Sequence, residues 1–225
     1  MEYFRELNWN LDISATGPIL KSWCTKENGN YRYFQIHINR LCENFEVYRI
    51  LRDKLLEQGL ELYRSKFMQM NPGDFMKIHI DQTVSRTDLS KDAIAYYDES
   101  NAMKYVEVAK PAELSLNIPL ANAGDHITRW YLPKDCQVNL RAAPCGPLPS
   151  IDLENWPDKD KLVEELCVAS FRMYKPSLIR TDFLHNVDAR HSKKIRWIMS
   201  FRLIDAKTKE FLTWNDVPRF EAITF

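Results

Sequence analysis

The chain has 225 residues, of which 31 are Lys or Arg and 31 are Asp or Glu, so its formal net charge is zero. That balance argues against nucleic-acid binding driven by bulk charge. A hydrophobic content of 45% and a charged content of 28% are ordinary for a globular protein, and the length suits one domain with a sizeable core. The five cysteines (Cys24, Cys42, Cys136, Cys145, Cys167) show no CxxC spacing, which fits a reduced intracellular protein better than a disulfide framework or a zinc knuckle. The opening "MEYFRELNWNLD" is charged from its second residue, and no apolar run approaches ~20 residues. Neither a signal peptide nor a membrane helix is expected, and the expected location is cytoplasmic.

Residues 1–32 show no clear period. "YRYFQIHI" (Tyr31 to Ile38) alternates and predicts a strand, with His37 on its polar face. In "NFEVYRILRDKLLEQGLELYRSKF", the spacing of Val47, Ile50, Leu51, Leu55 and Leu56 predicts a helix with a charged opposite face, weakened late by Gly59. "NPG" at Asn71 to Gly73 marks a turn. Short strands follow, beginning with "DFMKIHID" (Asp74 to Asp81). The polar stretch from Gln82 to Ala109 carries little core and is a candidate lid. "AELSLNIPLA", "HITRWYLP" and "CQVNLRA" are further strand candidates. A Pro-rich connection leads to a short amphipathic helix near "DKDKLVEELC". "ASFRMY", "PSLIRTDFLH" and "KKIRWIMSFRLID" predict three closing strands. Strands behind a helical N-terminal part point to a β-sandwich or barrel supported by helices, a mainly β, α+β chain.

Within "FMKIHIDQ", His79 and Asp81 stand two positions apart, so in a strand they project from one face while Ile78 and Ile80 project from the other. An imidazole and a carboxylate so placed are either two ligands of a 2-His-1-carboxylate metal site or an ordinary polar pair at a strand end. A third ligand must come from elsewhere. His37 precedes the helix, His126 sits at a turn, and His191 lies among charges. His185, at the end of "PSLIRTDFLH", is well placed for a metal at a barrel mouth. In the following strand Ile195, Trp197, Met199, Phe201 and Leu203 form a large apolar face. The other face presents Arg196, Ile198, Ser200 and Arg202. A buried arginine needs an anion, and a dicarboxylate would supply one through a bidentate pair. An exposed strand face with solvated arginines is the alternative.

His79-Ile80-Asp81, a distant His185 and Arg196 eleven positions later resemble, in that order, the Fe(II)/2-oxoglutarate-dependent oxygenases. "ELSLNIPLANAGDHITRWYLP" also resembles the middle strands of that family, particularly in small bacterial and phage members. The similarity covers roughly Asp74 to Asp205. It implies a double-stranded β-helix (jelly-roll) core, about residues 74–205, within one oxygenase domain whose N-terminal part, about 1–70, is its helical support. It implies Fe(II) on His79, Asp81 and His185, with Arg196 on the distal carboxylate of 2-oxoglutarate and dioxygen as the second co-substrate. "RWIMSFR" resembles the Arg-x5-Arg of the nucleic-acid-demethylating branch, whose second arginine lies in the active site; that would be Arg202. Ser200, Asn117 and Thr128 are further candidates for co-substrate contacts. The insertions at 82–109 and before "ASFRMY" depart from the family pattern. The substrate expected is an amino acid, a protein side chain or another small molecule, with a nucleic acid less favoured. A zinc hydrolase on the same fold would leave Arg196 unexplained. A cupin-like binding or phage structural module would leave His79 and Asp81 as a plain hydrogen-bonded pair. No cysteine has a nucleophile's local signature, and the six glycines leave little room for a phosphate loop.

Overall fold

The computed structural model describes residues 2–13, 15–28, 33–81, 113–132, 138–141, 148–151 and 159–225. The lid candidate at 82–109, most of the Pro-rich connection, Cys136 and Cys145 lie outside the described residues.

The chain opens with strand β1 (Phe4–Glu6) and helix α1 (Thr16–Asn28), followed by β2 (Tyr33–Ile36), α2 (Ile38–Asn44) and α3 (Glu46–Glu57). The helix read from apolar spacing is α3, but its buried stripe is Tyr48, Leu51 and Leu55, rotated from the expected one, so that Ile50 and Leu56 are exposed. The helix also stops earlier than its periodicity suggests. Gly59 adopts φ +68°, a left-handed conformation that glycine takes without steric cost and that ends helices. From Leu60 the chain runs as β3 (Leu60–Met70), the longest strand. Leu60, Leu62 and Phe67 are buried in it. What resembled a late helical turn is a strand whose tertiary pairing overrides local propensity.

Next come β4 (Ile78–His79), β5 (Leu114–Ala121), β6 (Ile127–Tyr131), the hairpin β7 (Val138–Arg141) and β8 (Leu148–Ile151), and helix α4 (Lys159–Leu166). Strands β9 (Cys167–Phe171), β10 (Ser177–Arg180), β11 (His185–Asp188) and β12 (Arg196–Asp205) follow, and helix α5 (Val217–Glu221) comes last. The segment read as one strand, "PSLIRTDFLH", is two strands in different sheets. His185 therefore opens β11 rather than closing its predecessor, and Asn186 to Asp188, expected in a turn, are buried strand. "DFMKIHID" contributes only the two-residue β4 and an isolated bridge from Phe75 to Asp188.

The described strands form two six-stranded sheets, ordered β1-β10-β5-β12-β3-β2 and β7-β8-β4-β11-β6-β9. Every pairing is antiparallel. From β3 to β6, and again from β9 to β12, each strand crosses to the other sheet. This is the interleaving of a jelly roll, a double-stranded β-helix. Strands β1 and β2 extend the first sheet at its two edges, and the β7–β8 hairpin extends the second beside β4.

The largest core lies on the outer face of the first sheet. There Phe67, Met199, Phe201 and Leu203 pack with Leu20, Leu51 and Leu55 of the helices, as the apolar face of β12 required. A smaller core between the second sheet and α4 joins Ile78, Tyr131, Val163 and Leu166. Between the sheets, Trp130 and Phe171 meet Ile179 and Ile198. Among the described residues no helix is long and apolar enough to cross a membrane.

Candidate metal centre

The pleat of β4 separates two kinds of side chain. Ile78 is fully buried, and Ile80 is packed with it under α4. His79 and Asp81 project to the opposite side, between the sheets. Strand β11 runs antiparallel beside β4 and places His185 directly across from His79, with the ring centroids 4.8 Å apart. One ligand atom from each of His79, Asp81 and His185 lies within 4.8 Å of the other two. His37, exposed at the start of α2, and His191, exposed in the turn before β12, take no part in it. His126 is buried, with Nε2 2.9 Å from the Lys194 carbonyl.

Both triad histidines are oriented in the same way. His79 Nδ1 lies 2.7 Å from the Lys77 carbonyl, and His185 Nδ1 lies 2.8 Å from the Phe183 carbonyl. Each Nδ1–H donates to the backbone two residues earlier, which leaves each Nε2 lone pair turned to the shared space. Metal-ligating histidines are oriented and tautomerically fixed by this kind of bond. Burial, reinforced by the neighbouring His79, lowers the His185 pKa to about 4, so the ring stays neutral and able to ligate at neutral pH. Burial acts to raise the Asp81 pKa. The Arg202 guanidinium overrides it and holds this carboxyl well below the usual carboxylate range. His79 Nε2 is 3.2 Å from Asp81 Oδ1. Two imidazoles with inward-facing Nε2 atoms and an ionised carboxylate, converging from one side, fit a divalent cation of the Fe(II) or Zn(II) kind.

The two arginines of "RWIMSFR" occupy different places. Arg202 Nη2 donates to Asp81 Oδ2, and its Nη1 donates to Thr181 Oγ1 at 3.1 Å and to the Leu114 carbonyl at 3.3 Å. Arg196 opens β12, is buried, and faces the same interior as Ile198, with Met70 opposite it on β3. Ser200 and Asn117 are register partners on β12 and β5. Ser200 Oγ is 3.0 Å from Ser115 Oγ. Thr128, buried on β6, pairs with Val187, the residue two beyond His185. Ser115 and Thr181 were not visible as site residues in the sequence. Nothing in their local spacing marks them, and only the strand register brings them to the interior.

No protein-family model matches the chain, and no curated protein matches it in sequence. Solved structures do resemble its fold. The non-heme α-ketoglutarate-dependent carbocyclase SnoK of nogalamycin biosynthesis is 14% identical over 96% of this chain and 84% of its own, with a TM-score of 0.49. The epimerase SnoN, crystallised with Fe3+, α-ketoglutarate and nogalamycin RO, is 11% identical over 91% and 80%, at 0.45. HygX of Streptomyces hygroscopicus, with nickel and 2-oxoglutarate bound, is 13% identical over 85% and 77%, at 0.41.

Proposed function

We propose that the chain is a single-domain Fe(II)- and 2-oxoglutarate-dependent oxygenase that hydroxylates a C–H bond of an amino acid, a protein side chain or another small molecule. The observation that carries this reading is the triad itself: His79, Asp81 and His185 converge inside a jelly roll with both imidazole Nε2 atoms turned inward. These three residues would hold the iron. Bound there, iron and 2-oxoglutarate would supply the oxidising chemistry from dioxygen, with 2-oxoglutarate decarboxylated to succinate.

The chain's own residues bind, orient and exclude water. Arg196 would take the distal carboxylate of 2-oxoglutarate through a charge-assisted pair worth ~1.5–3 kcal/mol. Its position supports that role. Ile198, two residues along β12, packs with Trp130, and Trp130 is the register partner of His185. Arg196 lies on the inward face of β12, in a buried setting where a guanidinium favours an anion. Ser200, Asn117, Thr128 and Arg202 line the same interior and are the further candidates for co-substrate contacts. Trp130, the register partner of His185, and Ile198 add buried apolar surface between the sheets, which favours exclusion of water there.

Fe(II) plus 2-oxoglutarate added without oxygen is expected to give a weak visible charge-transfer band. Admission of oxygen with a substrate is expected to yield succinate. Absence of both the band and succinate would sink the oxygenase reading. Arg196→Ala is expected to lose 2-oxoglutarate affinity while retaining metal, which tests the arginine separately.

A further inference from the structure

Asp81 stands just beyond the two-residue strand β4, where few ladder bonds hold the chain. It is nonetheless tied to β10 and its flank in two ways. Its backbone N–H donates to the Thr181 carbonyl at 3.0 Å. Its carboxylate Oδ2 accepts from Arg202, which reaches back to the Thr181 hydroxyl at 3.1 Å. Thr181 is fixed in turn by its N–H, which donates to the Glu113 carbonyl at 3.1 Å, and Arg202 is steadied by the Leu114 carbonyl at 3.3 Å. The result is a closed ring of hydrogen bonds through Asp81, Arg202 and Thr181. It joins the second sheet's β4 end to the first sheet's β12.

We propose that Arg202 and Thr181 are positioning residues for the metal centre: together they clamp Asp81 Oδ2 so that Oδ1 alone is presented beside His79 and His185. The proposal rests on the iron-site reading above. A free aspartate rotates about two side-chain torsions and can chelate a cation with both oxygens. The clamp removes that freedom by occupying one oxygen before any metal arrives. Outer-shell partners of ligating carboxylates commonly change metal affinity 10–100-fold when removed.

Geometry and charge act in opposite directions at Arg202. Its fork orients the ligand, whereas its positive charge opposes a nearby dication. Arg202→Lys separates the two, because lysine keeps the charge but lacks the planar fork that reaches Asp81 and Thr181 at once. The probe is Co(II) alone, titrated without oxygen into the full chain and followed by its d–d absorption. Arg202→Lys is expected to weaken Co(II) binding about 10–100-fold and to change the d–d band pattern. Thr181→Val is expected to weaken it severalfold, with the same spectral trend. Arg202→Lys binding Co(II) within twofold of the parent chain, with an unchanged spectrum, would overturn the proposal. Should the lysine variant fail to fold by circular dichroism, Thr181→Val decides, and an unchanged affinity and spectrum there overturns it equally. A parent chain that takes up no Co(II) would instead overturn the iron-site reading, and this proposal with it.

Discussion

His185 is the residue on which the site turns, because it is both buried and cross-strand from His79. With its pKa lowered to about 4, it resists protonation in the folded state well below the ~6.5 of an unfolded histidine. Between those two values the unfolded chain binds the extra proton, so the metal-free protein loses stability as pH falls from about 6.5 towards 4. The loss attributable to this residue is about 3 kcal/mol. Urea denaturation of the metal-free chain across that range is expected to show the slope, and His185→Gln is expected to flatten it. The two Nδ1 bonds to backbone carbonyls add a second expectation. His79→Gln or His185→Gln should weaken Co(II) uptake strongly, since an amide oxygen is a poorer ligand than imidazole for such an ion.

At the scale of elements, β4 is remarkably short for what it holds, and its stability comes from outside the ladder. Ile78 is fully buried against α4 by Tyr131, Val163 and Leu166. Ile78→Ala is expected to cost about 2–5 kcal/mol in global stability. It should also weaken metal binding, because the strand that aims His79 loses its anchor. Equilibrium unfolding and Co(II) titration on the same variant check both. The junction of α3 and β3 makes a different demand. At Gly59, φ is +68° and an added Cβ would lie 2.9 Å from Nη2 of Arg219, whose guanidinium donates to the Gln58 and Gly59 carbonyls. Gly59→Ala is expected to cost about 1–2 kcal/mol, read by thermal unfolding, with no change in metal affinity because the site is remote from the turn.

At the scale of the whole molecule, the triad draws on both halves of the jelly roll, so a metal held there would couple binding to folding. A cation that binds only the folded chain stabilises it by about 2.7 kcal/mol at a hundredfold excess over Kd. Co(II) is therefore expected to raise the melting temperature of the parent chain, EDTA to reverse the rise, and His185→Gln to show neither effect.

The legible part of this design was local. Period-two alternation put His79 and Asp81 on one face and Ile78 and Ile80 on the other, and the same rule assigned Ile195, Trp197, Met199, Phe201 and Leu203 to the helix-covered side of β12, from which Ile195 is missing because it precedes the strand and is exposed. Both features depend only on strand pleat, which a short stretch of sequence carries. Three things were not legible. Leu60 to Phe67 continued a helical-seeming run, yet pairing with β12 made it a strand. His185 was read as a strand's end, whereas it begins β11, because the sheet crossing between β10 and β11 leaves no mark in composition. Thr181 and Ser115 carried no signal at all. Register is set by hydrogen bonds between strands far apart in sequence. The residue types of the candidate metal centre could therefore be picked out in the chain, while the hydrogen bonds that hold Asp81 exist only once β4, β10 and β12 are brought together.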